Sequence, residues 1–298
     1  AWAYSDLPGL TAWLARLGEE VGGRSVLGLR WPFLAIAAAL PWWIVAIARR
    51  EGLKTDAMPS LAWWAGSLAV LLPLLGTLGV LALPDVPLAL ATMLCLDAGT
   101  RLVRCASWRA AGLLALGLAI GGLTHYRFAA VIGVGFVALM LLPDGRRALR
   151  DARVWAAVAI GALAWLPLLW WNLDNADAGL RFQLVDRHPW AFDPEGILFI
   201  AVQAAMATPL LLFALVRAGI AQHARDAKPG ARYLAWSGCL VLFGFFALGF
   251  FADSERVSFH WPLPAYLALL PLAPATLQAW PMNWRRATWA LAALGLFL

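Results

Sequence analysis

The sequence predicts an all-α bundle of membrane-spanning helices, with about ten membrane segments in a single domain over residues 1–298. Three observations predict it. Hydrophobic residues make up 62% of the chain. Apolar stretches recur near the roughly 17 to 25 residues that cross a bilayer as a helix. The few charged residues gather in short runs between those stretches. A soluble fold would bury several wholly apolar helices in one small core, whereas lipid asks only that each backbone satisfy its own hydrogen bonds.

Residues 1–30 read as an external amphipathic region, because Leu10, Trp13, Leu14 and Leu17 recur at helical spacing with Arg16, Glu19 and Glu20 on other faces. Apolar segments follow at 31–48 and 61–83, and Pro84 and Pro87 then force a break before the next helix. Shorter segments lie at 86–99, 110–124 and 128–142, and longer ones at 153–171, 196–217, 233–251 and 261–279. The longest external loop spans 172–195, and a last apolar run begins at Leu291. A chain that opens on Ala1 and closes inside that run is expected to be part of a longer protein, truncated at both ends.

Orientation follows from the basic residues. If residues 1–30 are outside, alternating passes put 16 of the 23 Lys and Arg on cytoplasmic flanks, from Arg49 to Lys54 through to Arg285 and Arg286. The formal net charge of +6 therefore describes those flanks and gives no support for nucleic-acid binding. Cys95, Cys105 and Cys239 have no CxxC spacing and read as packing residues. Many of the eighteen Trp sit at segment ends, as an interfacial belt would place them.

Ionisable residues are almost absent from the spans, Asp97 near a cytoplasmic end being the main case. An ion-driven carrier places such groups near the midplane, so the polar candidates must be sought on the external face. Asp6, before Leu7 and Pro8, reads either as a helix N-cap or as a site residue. Asp85, between Pro84 and Pro87, reads equally as a turn residue or as a functional acid beside hydrocarbon. The triplet His125-Tyr126-Arg127 splits two apolar stretches. There Arg127 either snorkels to headgroups or holds a phosphate by paired hydrogen bonds, and His125 is a hydrogen-bonding neighbour or, less favoured, a metal ligand. The loop 172–195 adds Arg187 and His188, and the stretch from Asp253 onward adds Arg256, His260 and Trp261. Arg127, Arg187, Arg256 and His260 lie on one side of the membrane and are able to converge on one anion.

Several motifs together resemble a known family. Tyr4 to Leu14 is similar to the YxDxPPLxxWL stretch of bacterial family 39 glycosyltransferases, relatives of protein O-mannosyltransferases and of the lipid A aminoarabinose transferase. Leu83 to Leu88 resembles their TPDAPL segment, and Gly117 to Ala129 their GLxxGLxxLSKYTA helix, with His125 in place of lysine. Leu168 to Asn172 resembles a PxxxWN element, and Phe259 to Tyr266 an xHWPAPAY element. The motifs occur in family order across nearly the whole chain.

The resemblance implies a GT-C fold, a polyprenyl-phosphate sugar donor, and transfer to a lipid, glycan or protein acceptor on the outer face of the bacterial cytoplasmic membrane. Asp85 and Asp6 are the expected catalytic acids, Asp85 lining the acceptor and sugar side with an acid upstream of residue 1. His125, Tyr126, Arg127, Arg187, His188, Arg256, His260 and Trp261 are expected against the donor. The family's Asp-Glu pair would precede residue 1, so a chain without its N-terminus is expected to be inactive. Histidine in place of lysine makes any phosphate contact there pH-dependent, since its unperturbed pKa is about 6.5. A divalent metal is compatible with phosphate chemistry, but the sequence supplies no ligand set. The rival reading is a flippase or carrier of lipid-linked sugars.

Overall fold

A computed structural model of the protein describes residues 7–52, 60–182, 185, 191–224, 227–251 and 259–295. Among them the regular elements are helical throughout, and each of the ten apolar segments falls on helix. Helices α1 (Leu10–Gly22) and α2 (Val26–Ile47) form an antiparallel pair, reversed at Gly23, whose φ of +83° suits glycine. The Ser25 hydroxyl accepts from the Gly28 amide at 2.9 Å and caps α2. Helix α1 begins after its N-cap Gly9. Asp6 itself lies outside the described residues.

Among the described residues three helices, Val26–Glu51, Ala152–Asp174 and Pro229–Gly249, are long and apolar enough to cross a membrane, or up to five if each of two bent pairs counts as one span, fewer than the ten segments expected. Segment 61–83 divides into α3 (Leu61–Leu71) and α4 (Pro73–Gly79), bent by 64° at Pro73. Segment 196–217 is not a straight span either. A helical stretch ending in α12 (Leu198–Ala207) and the following α13 (Pro209–Ala221) meet at 104°, with Thr208 at φ +62° ahead of Pro209. Large apolar side chains such as Trp170 (70% exposed) and Leu173 (77%) stand on the surface. An exterior carrying so many large apolar side chains suits contact with lipid.

The centre of the bundle is α5 (Asp85–Leu102), buried on every side except at Leu90, Cys95 and Arg101. It packs against α2, α6 (Trp108–Gly122), α7 (Phe128–Leu141), α14 (Pro229–Gly249) and α15 (Leu263–Leu269). Close approach depends on glycine. A Cβ on Gly117 of α6 would come 2.7 Å from the Cys95 sulfur, and one on Gly99 of α5 would come 2.2 Å from the Tyr233 ring on α14. Gly99→Ala is therefore expected to destabilise the bundle by about 1–3 kcal/mol through overpacking. Thermal unfolding in detergent reads this directly, and an unchanged midpoint would mean that α14 moves aside freely.

After α7 come α8 (Pro143–Ala148), α9 (Ala152–Leu163), α10 (Leu166–Asp174) and α11 (Ala178–Arg181). Asp151 caps α9, and hydrogen bonds from Arg153 hold its carboxyl below the usual carboxylate range. The chain ends in α16 (Ala273–Gln278) and α17 (Met282–Gly295).

Both ends of α5 carry charge. Pro84 occupies the N-cap position and Asp85 the first turn, where the helix dipole favours an acid, and Arg101 lies in the last turn, where it favours a base. At a rise of 1.5 Å per residue these ends stand roughly 24 Å apart.

At the Arg101 end Asp97 is enclosed by cations. Arg50 donates to it, Arg101 Nε approaches to 3.0 Å and the Trp43 indole donates at 3.1 Å. Beside it the buried Glu51 meets Arg50 Nε at 2.9 Å and Arg104 Nη2 at 2.8 Å. A π-helical turn at the end of α2 (Ala48–Gly52) brings Arg50 and Glu51 to this spot. Asp97 is thus half of an ion clasp joining α2 to α5.

Candidate functional site

At the opposite end of α5 the structure brings together residues far apart in sequence. Asp85 follows the N-cap Pro84, and among the described residues its side-chain partners are Arg127 and His260 rather than its own helix. It reaches instead to the turn between α6 and α7, where Arg127 Nη2 donates to Asp85 Oδ1 at 2.7 Å. His260 Nε2 lies 3.5 Å from the same oxygen and 3.4 Å from Arg127 Nη1. The Arg127 guanidinium carbon lies 5.3 Å from the centroid of the Trp261 ring, a cation–π distance.

Arg127 and Asp85 are only 10% and 8% exposed. Arg127 therefore does not snorkel to headgroups. The acid and the guanidinium are in direct contact.

Local structure explains the placement of Arg127. Helix α6 ends in the small residues Gly121 and Gly122, and the amides of Thr124 and His125 both donate to the Gly121 carbonyl at 3.1 Å. His125 Nδ1 accepts from the Arg127 amide at 3.0 Å, so this ring folds back on its own turn. Tyr126 points the other way, and its hydroxyl accepts from Asn172 Nδ2 at 2.9 Å. Asn172 Oδ1 in turn accepts from the Leu180 amide at 2.9 Å and ties the start of the 172–195 loop to the turn. Helix α1 also docks there, the Leu10 amide donating to the Leu123 carbonyl at 3.0 Å.

Trp261 is buried against Phe199, Val241 and Phe245, its ring edge-on to Phe245 at 5.7 Å. Asp85, Arg127, His260 and Trp261 thus form one cluster, with Tyr126 and His125 supporting its turn. Asp6, Arg187, His188 and Arg256 lie outside the described residues. Among the described residues no group of three or more His, Cys, Asp or Glu is arranged to hold a metal.

The sequence reading did not single out Gln203, which lies behind Phe259, or Glu51 in the ion clasp. A lone amide inside the apolar run 196–217 was the available signal. Glu51 sits in a charge run and carried no such mark.

Below the cluster is a cavity of about 550 Å³, in the size range of ligand pockets. Thr92, Cys95, Leu118, Trp165 and Val241 are among its mostly apolar walls. Thr92 lies two helical turns along α5 from Asp85. Pro264 lines both this cavity and the small void bounded by Asp85, Arg127 and His260. Phe136 and Trp155, which also line the cavity, are exposed on the apolar exterior, so the cavity reaches the lipid-facing surface.

A profile of dolichyl-phosphate-mannose-protein mannosyltransferases matches residues 6–171. The lipid A galacturonosyltransferase RgtD of Rhizobium johnstonii is 28% identical over 290 residues, covering 95% of this chain and 59% of its own length. Two crystal structures of ArnT from Cupriavidus metallidurans share the fold at 17% identity. The one bound to undecaprenyl phosphate has a TM-score of 0.71 and the apo one 0.70, and each covers 98% of this chain. The chain spans 53% and 52% of those two ArnT chains, so it corresponds to little more than half of each.

Proposed function

The chain belongs to the dolichyl-phosphate-mannose-protein mannosyltransferase family, and from that premise we propose that it transfers a sugar from a polyprenyl-phosphate donor to an acceptor on the extracytoplasmic face of a bacterial inner membrane. The observation that carries this reading is the apolar cavity with a buried acid–cation cluster at one end. A lipid-linked sugar needs both, hydrocarbon walls for its isoprenoid chain and cations at headgroup height for its phosphate. The solved relative bound to undecaprenyl phosphate supports the choice of lipid. The excess of Lys and Arg on the opposite flanks supports the side. Helix α1 and the start of the loop at Asn172 would then lie on the same side as the site, in keeping with the hydrogen bonds of Leu10 and Asn172 to the turn that carries Arg127.

In the proposed reaction the bond from the anomeric carbon to the phosphate oxygen breaks and a bond to the acceptor oxygen or nitrogen forms. The acceptor proton passes to a carboxylate and the bonding electrons leave with the polyprenyl phosphate. Asp85 serves the acceptor side and holds Arg127 in place. Arg127 and His260 meet the charge that builds on the departing phosphate, and Trp261 excludes water beneath them. Asp6, Arg187, His188 and Arg256 are proposed as further members of this site.

A carrier would present comparable open sites at both ends of the bundle. The charges at both ends of α5 are engaged by one another, Asp97 by Arg50 and Arg101 and Glu51 by Arg104 at the far end and Asp85 by Arg127 at the near one, so the transfer assay decides between the two readings.

The test is sugar transfer from a radiolabelled polyprenyl-phosphate sugar pool in membranes holding the whole protein, with and without Asp85→Asn. Label should reach an acceptor only when the carboxylate is intact. Label that crosses the bilayer without transfer would establish the carrier instead.

A further inference from the structure

We infer that Gln203 is a positioning residue for this site, holding His260 and Trp261 against Asp85 and Arg127; the inference rests on reading that cluster as the reaction centre. Gln203 lies on α12, which contributes no charge to the cluster, and it is buried. Its Nε2 donates to the Phe259 carbonyl at 3.1 Å, and its Oε1 accepts the Tyr266 hydroxyl at 2.5 Å. One carboxamide thereby bridges the two ends of the segment 259–266.

A buried amide is unfavourable unless its polar atoms find partners. Here the oxygen and the nitrogen each find one, and both partners belong to the same eight-residue stretch. One turn back on the same face of α12, Phe199 packs beneath Trp261. Helix α12 therefore supports this stretch twice, by packing under the indole and by pinning the backbone just ahead of His260.

The pin matters because α15 begins only at Leu263, so no helical ladder orients the peptide between Phe259 and His260. The contacts of His260 with Arg127 and Asp85, at 3.4 and 3.5 Å, are already at the limit of direct interaction. A small rotation of the 259–260 peptide would break both. The same bridge gives the hydroxyl of Tyr266, which is fully buried on α15, its partner on α12.

The experiment uses Gln203→Met, which keeps chain length and packing but loses both hydrogen bonds, and Tyr266→Phe, which loses one. Hydrogen exchange of the amides in 259–263 should accelerate in Gln203→Met and less so in Tyr266→Phe. Unchanged exchange in both would overturn the pin, whatever the activity.

In transfer assays Gln203→Met should lower kcat with little change in KM, by up to roughly 100-fold if His260 is displaced by about 1 Å. The decisive readout is a double-mutant cycle with His260→Ala. In that background Gln203→Met should have little further effect. An equal loss in both backgrounds would reduce Gln203 to a packing residue and sink the inference. If the unaltered protein transfers no sugar, the functional reading fails, and the exchange experiment still decides whether Gln203 holds the segment.

Discussion

Arg127→Ala in the whole protein is expected to lower sugar transfer by at least about 100-fold, the effect of removing a preorganised donor from a site of developing negative charge. It is also expected to destabilise the fold. In the structure Arg127 is buried against Asp85 rather than reaching headgroups, and its removal strands a carboxylate. The two effects separate in the double variant Arg127→Gln with Asp85→Asn. With neither charge left, the unfolding midpoint should move back toward that of the unaltered protein while transfer stays lost. Full transfer by Arg127→Ala would remove it from the site. Transfer restored in the double variant would make the ion pair purely structural. Arg127→Lys adds a finer test, because an ammonium keeps the charge but not the planar fork that reaches Asp85 and lies against Trp261.

Asp97→Asn should have the largest effect on stability of any single change at the far end of α5. An amide leaves Arg101 without its acid and Arg50 with Glu51 alone. Breaking a buried ion pair costs about 3–5 kcal/mol, and because both arginines keep some contact with solvent the expected loss is near the lower end, about 3 kcal/mol. Arg101→Gln is the contrast. That side chain is more than a third exposed, and its loss should cost no more than about 1 kcal/mol. Thermal unfolding of the three proteins in one detergent decides the matter. Equal midpoints for Asp97→Asn and Arg101→Gln would show that the clasp does not hold α2 to α5.

The ten apolar segments were legible because hydropathy is a local property, and each left its mark within a window of about twenty residues. The bends at Pro73 and at Thr208 both lay inside segments read as continuous apolar runs, with a single proline as the signal in each. At the site, Asp85, Arg127, His260 and Trp261 stood out because charged and polar groups beside hydrocarbon are rare. Their mutual geometry was not legible. Asp85 and Arg127 are 42 residues apart and Arg127 and His260 are 133 apart, and no local pattern states that such residues meet. Gln203 escaped notice because a single amide in an apolar segment looks the same whether it bonds within its own helix or across to another.

By itself, then, the sequence determined the helical class, the number of apolar segments and the polar breaks from which the candidate residues come, since these follow from hydrophobicity, proline and charge over short windows. It also carried the motifs of the family to which the chain belongs. The tertiary structure alone decided that Asp85 pairs with Arg127 rather than capping its own helix, that Asp97 is the centre of an ion clasp, and that Gln203 pins the turn before His260. The physical reason is that helix formation satisfies the backbone locally, while buried polar side chains must find partners wherever packing brings them. That packing depends on the glycines which let α5, α6 and α14 approach so closely.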